Sequence, residues 1–187
     1  MGEKTTMGYS LQQLSDLEEI KVLKHRYFRG IDTADWPLLD GIFTADVNVE
    51  YIGGDYHVKL TGAEAMMEFL ANSFHSGALA MHHGHMPEIT FTGEDGAEGL
   101  WYLEDIFINL EEEFHTFGTA IYRDRYLRQG GEWRIASTVY DRVMEVTEPL
   151  HAGARYVCHR LGRTGRKPGE RTDISHLIKW EARETKP

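Results

Sequence analysis

A chain of 187 residues with 41% hydrophobic and 11% aromatic residues has enough apolar material for one substantial core. Its formal net charge of −10 argues against a nucleic-acid surface, which rests on clustered Lys and Arg, and its lone cysteine, Cys158, provides neither an internal disulfide nor a thiol pair. No apolar run reaches the ~18 residues of a membrane span, and "MGEKTTMGYSLQQLSDLEEI" lacks the apolar centre of a secretory signal, so a cytoplasmic protein without a membrane partner is expected.

Residues 10–31 carry Leu17, Ile20, Leu23, Tyr27 and Ile31 at the three-and-four spacing of a helix with one buried face. Tyr27 therefore points inward. "DTADWPLL" reads as a break that contains Asp32, followed by a short helix capped by Asp35 with Pro37 in its first turn. "DVNVEYIG" alternates as a strand, "GGDYH" turns, and "TGAEAMMEFLANSF" gives a third helix. From Met81 the pattern becomes strands: "HHGHMPEITF", "AEGLWYLEDIFINL", "FGTAIYRDRYLR" and "EWRIASTVYDRVMEV", joined by "TGEDG", "EEEFH" and "QGG". Helices followed by antiparallel strands make an α+β domain in which the helices cover one face of a curved sheet and leave a hollow.

Charge divides the chain. From Pro149 onward there are nine Lys and Arg against four Asp and Glu, a balance of +5, which leaves −15 on residues 1–148. A domain over 1–148 and a basic extension over 149–187 are expected. The extension either lies across an acidic surface, its own or another subunit's, or is a solvated arm. Within it "DISHLIKWEARE" has the apolar spacing of a short helix, with Ile174, Leu177 and Ile178 on one side.

Three histidines crowd "AMHHGHMPEITF". Imidazole suits zinc, iron and copper, but side chains alternate along a strand, so His82 faces one way while His83 and His85 face the other. The three do not converge on one ion, and no metal site is expected. On the histidine pattern alone a structural role is the simpler reading.

The stretches "IKVLKHRYFRGIDTADW", "MHHGHMPEITF", "GLWYLED" and "GTAIYRDRYLRQGGEW" resemble those of the bile-acid 7α-dehydratases, within the nuclear transport factor 2-like (SnoaL-like) superfamily. "GID" followed some fifty residues on by "HHG" is similar, more distantly, to scytalone dehydratases and hexachlorocyclohexane dehydrochlorinases. The resemblance runs from about Leu17 to Val146. It implies a cone-shaped α+β barrel, a lyase that eliminates water or halide without a metal or organic cofactor, and Tyr27, Asp32 and His82 on the catalytic positions. It also implies pocket positions for Tyr51, Tyr140 and Arg142, and homo-oligomers, commonly trimers. Phe114 stands near a tyrosine of that family, and "EEEFHTFG" is shorter than its counterpart, which bears on substrate shape.

Independent chemistry suits the same residues. Taking a proton from carbon beside a carbonyl or enone requires a neutral base at working pH, which imidazole supplies, and a carboxylate that holds its other N–H fixes the tautomer and stabilises the imidazolium. His82 and Asp32 fit those two roles. Tyr27 would donate to the developing enolate oxygen. The departing hydroxyl would take its proton from His82 or with help from Tyr51. Other duties remain open at this stage: a core aromatic for Tyr27, a turn or cap carboxylate for Asp32, and for Arg142 either a ligand contact or pairing with one of the many acids. Met66, Trp101 and Phe107, with Phe28, Leu70 and Met81, are expected to line an apolar pocket for a small hydrophobic, ring-bearing and steroid-like substrate. An isomerase, a dehalogenase, or a non-catalytic ligand-binding or oxygenase small-subunit protein are the alternatives.

Overall fold

The computed structural model describes residues 8–181. Helix α1 (Leu11–Thr33) starts at a capping box in which Ser10 Oγ accepts from the Gln13 amide at 3.1 Å and the Gln13 side chain accepts from the Ser10 amide at 2.9 Å. It buries Ile20, Leu23, Tyr27, Phe28 and Ile31. The helix continues past Gly30 and stops where Ala34 turns left-handed, φ 48°, and its N–H reaches the Gly30 and Ile31 carbonyls. Asp32 thus sits in the last helical turn, not in the expected break. Helix α2 (Trp36–Leu39) follows, capped by Asp35, which accepts from the Leu38 amide at 3.2 Å.

Strands β1 (Phe43–Ile52) and β2 (Tyr56–Thr61) form a hairpin, the second of them hidden in sequence behind the turn residues that precede it. Helix α3 (Ala63–Ser73) turns Met66, Phe69 and Leu70 inward. Strands β3 (Ala78–Phe91), β4 (Gly96–Asn109), β5 (Phe114–Gln129) and β6 (Glu132–Pro149) make a long antiparallel meander. The sheet order is β3-β4-β5-β6-β1-β2, with one more strand, β7 (Ile178–Trp180), on the far edge. Among the described residues its one parallel pairing is β1 with β6, which sets Tyr51 opposite Tyr140. None of the described helices is long and apolar enough to cross a membrane.

The helix expected after residue 173 is instead a single 3-10 turn, Ser175–Leu177, followed by β7. The free edge of β2 offers unpaired backbone groups, and Val58 pairs with Ile178 there, which a lone helical turn would forgo. The end of that expected helix lies outside the described residues. Between β6 and this turn, helix α4 (Leu161–Thr164) buries Leu161, and Glu68 of α3 accepts from Arg166 at 2.8 and 2.7 Å and from the Thr172 hydroxyl at 2.6 Å. These bonds, Arg166's first, hold the Glu68 carboxyl down at about 2 from its ordinary 4.5. A depressed carboxylate contributes stability that is full above 4.5 and lost as pH falls toward 2. Glu68→Gln is expected to speed limited proteolysis within 164–172 at neutral pH, and acidification through that window to do the same to the parent; unchanged cleavage would show that the clamp does not hold the extension.

Candidate active site

A cavity of about 630 Å³ lies between the concave face of the sheet, the end of α1 and the inner side of α3, and Tyr27, Tyr51, His82, Phe107, Tyr140 and Arg142 all reach it. The extension contributes Ile174, Ile178 and Trp180 to the same wall. Such a volume suits a ligand of a few fused rings.

The last turn of α1 packs against β3, and Asp32 grips His82 twice: one carboxylate oxygen is 2.6 Å from His82 Nδ1, the other accepts from the His82 backbone N–H at 3.0 Å. The second bond fixes the carboxylate, so the first fixes the ring. With Nδ1 taken, Nε2 is the nitrogen available to the cavity. Phe28 stacks flat on the imidazole, centroids 6.0 Å apart at 5°, and Phe74 meets it edge-on at 5.5 Å. Phe28 fits there because residue 84 is glycine; a Cβ would stand 2.5 Å from the Phe28 ring. His83 and His85 are exposed on the opposite side of the strand. Met86, which simple alternation would set beside His82, is 92% exposed, because the β3–β4 register shifts between His85 and Glu88.

Four tyrosines face one another at the other wall. The Tyr27 and Tyr51 hydroxyls are 2.9 Å apart, and the Tyr51–Tyr140 and Tyr122–Tyr140 ring centroids are separated by 4.8 and 5.6 Å. Burial pushes the Tyr27 phenol up to about 12, against the hydrogen bonds from Tyr51 and Tyr122, and lifts Tyr51 and Tyr122 well above the ordinary tyrosine value. All three are neutral donors at pH 7.

Arg142 crosses β5 to pair with Asp105, and its other terminal nitrogen meets Glu145 at 3.0 Å. The crossing requires glycine at 118, where a Cβ would stand 2.7 Å from the guanidinium. Arg142 thus does both things its sequence position allowed, pairing with acids and lining the cavity. Its Nε is buried without a hydrogen-bond partner among the described residues. Asp105 pairs in register with His82 and also lines the cavity.

Four of the six apolar residues expected to line the pocket lie elsewhere. Trp101 is 1% exposed and donates to the Tyr126 hydroxyl at 2.9 Å, outside the cavity: it shares the inward face of β4 with Leu103, Asp105 and Phe107 but lies farther along the strand, where Phe28 of α1 and Tyr126 fill the space over the sheet. Met66 sits behind Tyr51, its sulfur 3.6 Å from that hydroxyl, supporting the tyrosine from outside the lining. Phe28 and Met81 are also absent from the wall, whereas Leu70 belongs to it. Sequence reasoning missed Tyr122, Phe74, Asp105 and the extension's apolar side chains. Strand alternation signals the first: Ala120, Tyr122, Asp124 and Tyr126 share one buried face.

A family of SnoaL-like domains matches residues 12–139. The chain belongs to this family. The matched segment contains Tyr27, Tyr51, Asp32 and His82, with Tyr140 and Arg142 just beyond it. Among solved structures the SnoaL-like domain is similar to LinA, at 18% identity over 79% of this chain and 97% of the other, TM-score 0.67. It is similar as well to a hexachlorocyclohexane dehydrochlorinase, LinA-type3 from Novosphingobium barchaimii LL02, at 21% identity over 79% and 97%, TM-score 0.64. A putative scytalone dehydratase from Novosphingobium aromaticivorans DSM 12444 matches at 19% identity over 77% and 97%, TM-score 0.64. At these identities the likeness is one of fold, which confirms the helix-covered, curved α+β sheet expected from sequence.

Proposed function

We propose that this SnoaL-like protein is a lyase that works through side chains alone: it abstracts a proton α or vinylogous to a carbonyl and eliminates water from a hydrophobic, ring-bearing compound. A steroid-like skeleton fits the cavity volume. The reading rests on one observation, the doubly anchored Asp32 carboxylate that holds His82 Nδ1 at 2.6 Å on the wall of that cavity. His82 Nε2 takes the carbon-bound proton, Asp32 stabilises the imidazolium, and the Tyr27 phenol, kept protonated by burial, donates to the enolate oxygen. The protonated His82 or the Tyr51 hydroxyl then supplies the departing oxygen with its proton.

Charge narrows the substrate. Arg142 already pairs with Asp105 and Glu145, so its charge is met, and Arg142 Nε is the donor left over among the described residues. A neutral ketone or hydroxyl suits that place better than a carboxylate.

The test is incubation with a panel of hydroxy-ketosteroids in deuterated water. Deuterium at the α or vinylogous carbon, with loss of the hydroxyl, supports the lyase; binding without exchange across the panel supports a ligand-binding protein. In the same assay Asp32→Asn, which leaves the ring unpinned and the imidazolium without its counter-charge, is expected to lower turnover by about 10²–10⁴-fold with little change in affinity. Equal turnover would remove Asp32 from the mechanism.

A further inference from the structure

The crowded histidines of β3 point to opposite sides, yet a different trio, distant in sequence, comes together at the far end of the sheet. His115 is the second residue of β5 and Glu148 the last but one of β6; the two are direct partners in the antiparallel ladder, with His115 Nε2 3.4 Å from Glu148 Oε2. His151 lies three residues on, its ring centroid 5.5 Å from that of His115. One ligand atom from each lies within 4.8 Å of the other two.

We propose that His115, Glu148 and His151 bind a borderline divalent cation, with zinc as its type. Bonds of about 2.0–2.2 Å to nitrogen and oxygen at a tetrahedral angle set ligand atoms roughly 3.3–3.5 Å apart, the separation that His115 and Glu148 already have. Only His151 must approach, and it stands on a constrained loop. The Leu150 amide donates to the Glu113 carbonyl at 2.9 Å, and Glu113 is held at φ 58°; the His151 amide donates to the Tyr156 hydroxyl at 3.2 Å. Two imidazoles and one carboxylate match the ligand preference of zinc and its neighbours better than that of calcium or magnesium, which take oxygen donors. With His115 half-buried and the other two exposed, solvent completes the coordination.

The position has a consequence beyond binding. Phe114, Thr116 and Thr147, neighbours of the ligands along the same two strands, line the cavity, so a bound cation ties the next-to-last rung of β5–β6, His115 with Glu148, to the loop that starts the extension. It is expected to stiffen one end of the cavity without touching its contents.

The experiment is calorimetric titration of the full chain, stripped by chelator, with zinc chloride, and of Co²⁺ followed by its visible absorption. One ion per chain is expected, with a raised melting temperature and a tetrahedral or five-coordinate cobalt spectrum. His151→Ala, a loop change that leaves the strands intact, and Glu148→Gln are each expected to weaken binding by about tenfold or more, on the rough scale of one ligand among three. His83→Ala with His85→Ala is expected to bind as the parent does. No saturable binding at micromolar zinc, or binding lost only with the β3 histidines, overturns the proposal.

Discussion

Under the proposed lyase mechanism, His82→Ala is expected to lower the rate of base-catalysed elimination by about 10²–10⁴-fold, the usual contribution of a positioned general base, and to leave the affinity for an unreactive ring compound close to that of the parent. The split is expected because the imidazole is one edge of a wall that Phe74, Phe107 and Leu70 also form, so apolar contact survives while the proton acceptor disappears. Deuterium exchange into a ketosteroid and equilibrium binding of a saturated analogue measure the two halves. An equal loss of binding and rate would make His82 a packing residue; an unchanged rate would place the base elsewhere.

The largest effect on stability is expected at Lys24. This side chain is completely buried, its Nζ 2.7 Å from the buried Asp124 carboxylate and 3.6 Å above the centre of the Tyr122 ring, with Tyr27 and Phe28 flanking it at 4.9 and 5.1 Å. Asp124 in turn accepts from the Tyr126 hydroxyl at 2.7 Å, and Tyr126 accepts from Trp101. Burial pulls the Lys24 ammonium down from its ordinary value while Asp124 opposes the shift. Lys24→Ala strands a carboxylate in the core and opens a cavity beneath two tyrosines, for a cost of ~3–5 kcal/mol. Lys24→Met combined with Asp124→Asn removes both charges at nearly constant volume and is expected to recover much of that loss. Urea denaturation of the three proteins decides it: a double variant no more stable than Lys24→Ala would mean that the attraction within the pair, and not the stranded charge or the lost volume, sets the cost.

Lys24 also marks where sequence reading stops. The helical period correctly turned Tyr27 and Ile31 inward, because apolar and aromatic residues announce their own side of a helix. It gave no sign of Lys24, one turn before Phe28 on that same side, since a lysine is ordinarily solvated; its burial follows from three rings and an aspartate that come from α1 and β5. The grouping of Asp32 with His82 was legible from the resemblance and from the chemistry of an imidazole base, although the helix that carries Asp32 runs to Thr33, two residues past the stretch its apolar spacing marked. Trp101 and Met66 were misplaced for one reason: apolar residues on an inward face fill either the cavity wall or the layer behind it, and composition does not distinguish the two. The extension posed the opposite problem. Ile174 and Ile178 had the spacing of a helix, but the unpaired edge of β2, some 120 positions earlier in the chain, drew Ile178 into a strand.

That closure, together with the side-by-side run of β1 and β6, has a kinetic side. Val49 must wait for Thr138, and Val58 for Ile178, so a growing polypeptide cannot complete this sheet until residues 178–180 have left the ribosome. Long-range pairings of this kind are slow to form. During synthesis the hairpin of β1 and β2 therefore presents two raw edges to the cell, and a carboxy-terminal deletion would make one of them permanent.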